Sequence, residues 1–438
     1  MSDILHTRRE FLGRGMTLLS AASTVPLFLD RTAWAFAGPL DRFRKNSGDD
    51  RVLVVLQLAG GNDGLNTIIP IRNDTYYKLR PRLAIDRSQA LSLTSELGLH
   101  PAATGLKRLY DDGHLGILQG VGYPNPDRSH FVATDIWSTA DPQGHQHEGW
   151  MGRYFDCTCK GNDRPNPKLA ISLTSEAPLA LTGKRFSPIS FGSPDELTWR
   201  GAAGDPLHRA AFDQLNAAPP SNPAAGKVLT QGSALAYLER TAMDAQASAL
   251  EIQQAAGATG RAPKPDLRAI PGKGRKGNGQ LTQQLMMVKR MIAAGLGTRV
   301  YYVSLGGFDT HANQPNRHQQ LMTELGEGLS DFVTELKNDG LLDKVLLITF
   351  SEFGRRVAEN ASQGTDHGAA APLFIVGGRV KPGMHGVHPG LEPADLDQGD
   401  LNWQIDFRSV YATVLKEWLH TDPARVLGGA FKPTAFLK

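Results

Sequence analysis

The chain has 438 residues, enough for one large α/β domain or for two or three smaller ones. It carries 47 Lys and Arg against 44 Asp and Glu, and the basic residues are scattered rather than striped, which excludes the electrostatic footprint of a nucleic-acid binder. Cys157 and Cys159 are the only two cysteines; a one-residue gap strains a mutual disulfide, and no third thiol completes a metal site, so they read as ordinary half-buried thiols.

The N-terminus reads as an address. Thr7-Arg8-Arg9-Glu10-Phe11-Leu12 precedes a mildly apolar run from Gly15 to Leu29, and small residues follow at Ala33, Ala35 and Ala37. This order of charged, apolar and small residues predicts a twin-arginine export signal over residues 1–37 with an Ala-x-Ala-like cleavage site. The apolar run is too short and too polar to span a bilayer. The mature chain is therefore expected to lack a transmembrane segment and to be periplasmic or secreted.

Arg51–Leu58 (RVLVVLQL) is an almost continuous apolar, β-branched run, the pattern of a strand buried on both faces of a parallel sheet. It breaks at Gly60-Gly61-Asn62-Asp63, where glycines let the backbone turn tightly and Asp63 stands just past the strand end. The turn lacks a Lys-Ser/Thr pair, so it is not a nucleotide-binding P-loop. A helix near His100–Tyr110 leads to a second strand, Leu115–Val121, and then to Ser129 and His130 ahead of another helix. At that position Ser129 is either an N-cap or a nucleophile beside a positive helix end. A helix start at Trp150–Tyr154 and a strand at Lys168–Leu173 follow.

From about residue 200 to 280 the composition turns to Ala, Gly, Pro and Gln. This reads as an insertion, with a helix over Ser233–Ala256 on two loose arms. Gln280–Leu296 then places Leu281, Leu285, Val288 and Ile292 on one helical face. Strands at Val300–Leu305, Val345–Phe350 and Pro372–Val376 alternate with helices at His318–Asn338 and Asp406–Leu419. The alternation predicts an α/β fold over residues 38–438: one domain with a central, mostly parallel sheet, helices on both faces and a partly helical insertion.

In open α/β sheets, ligands bind beyond the carboxyl ends of the strands. Four predicted strands end there in chemistry-bearing residues: Asp63, then Ser129 and His130, then Asp309 and His311, then Glu352, with Asp366 and His367 in the loop beyond. Acids and imidazoles without thiolate suit zinc, manganese or iron, and less well calcium or magnesium alone. The expected cofactor is one or two divalent ions, with zinc, manganese and calcium as candidates, and the expected chemistry is metal-assisted hydrolysis.

The motifs Gly60–Pro70 (GGNDGLNTIIP), Arg128–Phe131 (RSHF), Gly306–His311 (GGFDTH), Ser351–Arg355 (SEFGR) and Thr365–Gly368 (TDHG) resemble those of the uncharacterised family called domain of unknown function 1501. That family is related to the alkaline phosphatase and sulfatase superfamily. The resemblance implies an alkaline-phosphatase-like fold, a bimetal site and transfer of a phosphoryl or sulfuryl group through a covalent intermediate. Carried over by position, Ser129 matches the nucleophile. Asp63 and Glu352 would hold one ion, and Asp309, His311 and His367 the other, with Asp366 adjacent. His130 is a base, a ligand or a bystander, and Arg128 or Arg355 would pair with the anionic ester oxygens. The spacing departs from the superfamily, since Asp309 and His311 are one residue apart and Glu352-Phe353 stands where Asp-His is usual.

The expected substrate is a small-molecule or glycan ester of phosphate or sulfate. Two rivals remain. One is a catalytically degenerate binding protein with an exported protein partner. The other is a metal-free polysaccharide-active enzyme using Asp63 and Glu352.

Overall fold

The computed structural model describes residues 50–158, 166–197, 248–257 and 279–438. The predicted export signal and most of the predicted insertion lie outside the described residues, as does Cys159. Cys157 is a half-buried thiol.

The main sheet has nine strands. They are β1 (Val52–Ala59), β5 (Leu115–Gly122), β6 (Ala170–Ser172), β7 (Ile189–Ser190), β8 (Val300–Gly306), β9 (Val345–Phe350), β10 (Ala371–Gly377), β11 (Gly383–His385) and β14 (Ile405–Asp406). Small separate sheets contain β2 (Ile68–Pro70), β3 (Leu91–Ser92) and β4 (Leu97–Leu99), and β12 (Leu396–Asp397) with β13 (Asp400–Leu401). The main order is β11-β5-β10-β9-β1-β8-β6-β7, with β14 beside β5. β1 is central and parallel to both β8 and β9. Only β10 runs against its neighbours, antiparallel to β9 and β5.

The two faces of β1 explain its sequence. Val52, Val54, Leu56 and Leu58 enter one core, and Leu53 and Val55 enter the other. A strand residue alternates between faces, so a sheet covered on both sides needs an apolar residue at nearly every position. Full burial of each such side chain stabilises by roughly 1.5–3 kcal/mol before entropy is subtracted.

The first core is closed by α6 (Gln280–Ala293) and α7 (Gln314–Asn338), which contribute Leu281, Leu285, Val288, Leu321, Leu325 and Leu329. In the second lie Trp150 and Phe155 of α5 (Trp150–Thr158), with Val410 and Tyr411 of α8 (Phe407–Thr413). The predicted C-terminal helix ends its α-helical part at Thr413 and continues as a π-helix over Val414–Trp418. The smaller helices are α1 (Gly64–Thr67), α2 (Asp74–Leu79), α3 (Thr104–Asp111), α4 (His130–Thr139) and α9 (Pro423–Leu427).

Because β1, β5, β8 and β9 run one way, their carboxyl ends share one edge. The reversal of β10 keeps residues 351–370 at that same edge. This is what carries Asp366 and His367 back to the strand ends. Among the described residues, no helix is long and apolar enough to cross a membrane.

A histidine and carboxylate cluster at the carboxyl edge

Each loop at this edge is locked to its neighbours before any ligand is considered. Ser351, at the end of β9, accepts a hydrogen bond from Asn62 N–H at 2.8 Å and donates to the Leu58 carbonyl at 2.7 Å. Gly60 has φ +117°, and a Cβ there would lie 2.4 Å from the Asp309 amide nitrogen. Only glycine lets the loop after β1 pass so close to the loop after β8. Gly364 is equally confined, with its Cβ position 2.2 Å from the His311 carbonyl.

On this frame three imidazoles converge with one carboxylate. His311 Nε2 and His367 Nε2 are 2.8 Å apart. Both approach Asp309 Oδ1, at 3.1 and 3.2 Å. His130, the first residue of α4, turns its Nε2 to Asp309 Oδ2 at 3.5 Å. Ligand atoms from His130, Asp309 and His367 all lie within 4.8 Å of one another.

The far side of each ring is fixed. His130 Nδ1 meets Glu352 Oε1 at 2.8 Å, His311 Nδ1 meets Asp366 Oδ1 at 3.2 Å, and His367 Nδ1 meets the Arg128 carbonyl at 2.8 Å. An ionised carboxylate and a carbonyl only accept, so each Nδ1 is the donor, and a ring in its neutral form turns a lone pair inward on Nε2. This is the orienting shell that metal-ligating histidines have.

The spacing also fits a cation. Neighbouring ligands on a tetrahedral ion at about 2.0–2.1 Å lie roughly 3.3 Å apart, close to the 2.8–3.2 Å found here. Two inward lone pairs 2.8 Å apart repel unless a cation or proton lies between them. Glu352 Oε2 is buried without a partner, leaving a negative group beneath His130 that a cation would offset.

Burial pushes the Asp309 carboxyl up, but the hydrogen bond and charge of Arg355 outweigh it and hold it at about 2. Asp366 is also lowered, chiefly by its hydrogen bond from Asn360 and then by His311. The cluster is open, with the Asp309 and His311 side chains 47% and 44% exposed.

Asp309, His311 and His367 are brought together as the resemblance implies. His130 joins them as a further imidazole. Glu352 and Asp366 stand one shell back, each behind a ring. Ser129 is exposed at the N-cap of α4, its hydroxyl makes no capping bond, and its backbone N–H donates to Asp127 Oδ1 at 2.6 Å.

Glu352, expected as an ion ligand, is instead the hydrogen-bond partner behind His130, and two further expectations are corrected. Asp63 is not in the cluster: it is fully buried and pairs with Arg80 Nη1 at 2.6 Å, and it also accepts from Gln314 and from Asn66 N–H. Burial raises its carboxyl, but the Arg80 charge prevails and keeps it low. Arg355 is not a substrate arginine, because its buried guanidinium donates to the carbonyls of Gly60, Gly61, Phe308 and Thr365 and to Asp309. Arg128 is partly exposed but paired with Asp400 at 2.5 Å.

Arg80, Gln314, His318 and Asp400 escaped the sequence reading. Arg80 meets Asp63 across 17 residues and an intervening helix, and the other three act through partners more than 200 residues away, where no spacing rule reaches.

An α/β protein with a mostly parallel sheet and a histidine–carboxylate cluster at its carboxyl edge is the class these features define. Within it, residues 117–429 match the family model described as "Protein of unknown function (DUF1501)", and the chain belongs to that family. None of the curated protein sequences compared with the chain matches it. Solved structures show distant similarity. The lipoteichoic acid synthase of Listeria monocytogenes is 9% identical, with 87% of this chain and 80% of that one covered, at a TM-score of 0.33. A sulfatase from Pseudoalteromonas sp. is 10% identical, covering 97% and 77%, also at 0.33. A protein in the alkaline phosphatase superfamily from Vibrio parahaemolyticus is 10% identical, covering 84% and 70%, at 0.29.

Proposed function

We propose that this chain is an exported, metal-dependent hydrolase of phosphate or sulfate esters, with Ser129 as nucleophile. The observation that carries the reading is the convergence of His130, His311 and His367 on Asp309, with every ring pinned from behind. A divalent ion held there would supply charge stabilisation at the ester's anionic oxygens and lower the pKa of a hydroxyl brought to it.

The chain's own residues do the rest. Ser129 directly precedes His130 in the chain and stands at the N-cap of a ten-residue helix, whose positive end favours an anionic oxygen. In the reaction the Ser129 hydroxyl gives its proton to solvent as its oxygen bonds to phosphorus or sulfur, the ester oxygen leaves and takes up a proton from solvent, and water later attacks the covalent ester to release the acid and restore the hydroxyl. Arg128, still partly exposed, is the arginine left for the anionic oxygens. Export rests on the Arg8-Arg9 signal pattern, and the substrate is a small-molecule or glycan ester.

Ser129→Ala in the metal-loaded protein should abolish turnover of aryl phosphate and aryl sulfate esters, a loss of at least about a thousandfold, with metal content unchanged. Unaltered turnover would remove Ser129 from the mechanism. A second reading, a binding protein on the same fold, is favoured by Asp63 and Arg355 being engaged internally. It predicts ion binding with no turnover of any ester class.

A further inference from the structure

We infer that the centre is mononuclear: one divalent ion, held by Nε2 of His130, His311 and His367 and by Asp309, with the buried guanidinium of Arg80 serving Asp63 as a second ion otherwise would. This rests on the metal reading above and goes beyond it, because the family resemblance implies two ions.

Ligand supply is the first argument. Among the described residues the cluster around His130, Asp309 and His367 is the one group of three or more side chains spaced to hold an ion. The carboxylates that would complete a second site are engaged elsewhere. Asp63 and Arg80 are both completely buried in a 2.6 Å ion pair. Arg80 is itself fully satisfied, donating also to Asn66 and to the carbonyls of Val357 and Arg356. Glu352 gives Oε1 to the Gly60 amide and to His130, both at 2.8 Å, which leaves only its buried Oε2 without a partner and, among the described residues, no second carboxylate beside it.

Charge is the second argument. Asp309 is balanced by Arg355, and Asp63 by Arg80. Glu352 and Asp366 are left, each hydrogen-bonded to a ligating ring. Two formal negative charges around three neutral imidazoles are balanced by one divalent cation. A second ion would leave this cluster with an excess of two positive charges and, among the described residues, no further carboxylate in it to offset them.

His311 follows as the fourth protein ligand. Its Nε2 is as near to Asp309 Oδ1 as that of His367, and its Nδ1 is oriented by Asp366, which Asn360 in turn holds at 3.0 Å. Four protein ligands would fill a tetrahedral shell, so a substrate oxygen would have to enter as a fifth ligand from the open, solvent-facing side.

The test is metal stoichiometry on the full chain, stripped with chelator and reloaded separately with zinc, manganese and cobalt, and read by elemental mass spectrometry. One ion per chain is expected. Two per chain would overturn the mononuclear assignment while leaving the metal reading standing, and none would overturn both.

His311→Ala, at a side chain nearly half exposed, should keep the fold and the single equivalent but weaken binding by at least about tenfold. It should also alter the visible absorption of the cobalt form, and an unchanged affinity and spectrum would remove His311 from the ligand set. Replacing both charges of the buried pair, Asp63→Asn with Arg80→Gln, should leave one ion bound. Loss of the ion in a variant with unaltered circular dichroism would overturn the role given to Arg80.

Discussion

Arg355 joins three loops through one planar group. Its acceptors come from the loops after β1, β8 and β9, and Asp309 Oδ1 is among them at 2.6 Å. Lysine carries the same charge but only three donors at a point, so it cannot reach this spread of carbonyls. Arg355→Lys should therefore destabilise the protein by on the order of 3 kcal/mol, because buried carbonyls lose their donors. Urea unfolding with an unchanged m-value checks this, and a loss below about 1 kcal/mol would contradict the role. Metal affinity should fall in the same variant, since Asp309 loses the group that sets its position. In the sequence Arg355 looks like a substrate arginine, because SEFGR places a cation beside a strand end. Its true partners, Gly60, Gly61 and Phe308, lie 47 to 295 residues away, and that distance hides them.

At the scale of elements, the strands were easy to read and their directions were not. Val52–Ala59 and Val345–Phe350 are apolar runs that only a two-sided core explains, and they appear within a residue of their expected bounds. Nothing in Ala371–Gly377 reveals that it reverses, because antiparallel pairing between two buried neighbours needs the same apolar residues. That reversal decides the site, since it returns the 351–370 loop to the ligand edge. The turn at Gly60 was legible as a tight turn, though the loop it packs against was not. Gly60→Ala puts a methyl group 2.4 Å from the Asp309 amide and asks alanine to hold φ +117°. The loop after β8 must then move, and Asp309 with it. The variant should lose on the order of 2 kcal/mol of stability and bind metal at least about tenfold more weakly. Isothermal titration with zinc beside thermal unfolding separates the two effects, and retention of wild-type affinity would show that the contact relaxes without moving Asp309.

For the molecule as a whole, the interior beneath the site holds two neutral histidines that tie folding to pH. His318 lies in α7 and is 1% exposed, and His100 is 6% exposed; their rings meet edge to face at 5.2 Å. Burial, only partly countered by Asp63 and reinforced by Arg80 and Arg355, pulls His318 down to about 4. Burial, together with His318, pulls His100 down to about 3. In the unfolded chain both rings titrate near the ordinary imidazole value of 6.5. Between pH 6.5 and 4 the unfolded state therefore binds protons that the native state refuses, so stability rises with pH across that window. The contribution of His318 is fully present above 6.5 and is lost as pH falls to about 4. Below that the native ring also charges and the loss levels off. One pKa unit corresponds to about 1.4 kcal/mol, so the span for His318 is roughly 3 kcal/mol. The low carboxyls of Asp63 and Asp309 act in the same direction but only at more acid pH, below the unfolded carboxylate range near 3.8. Chelator-treated protein isolates the effect from metal release. There His318→Gln, which keeps a polar group facing Thr67, should roughly halve the slope of the stability profile between pH 6.5 and 4, leaving the share of His100, and keep it parallel to the wild type above pH 7. A wild-type slope in the variant would mean that other groups carry the acid sensitivity, and that His318 is held neutral without cost to the fold.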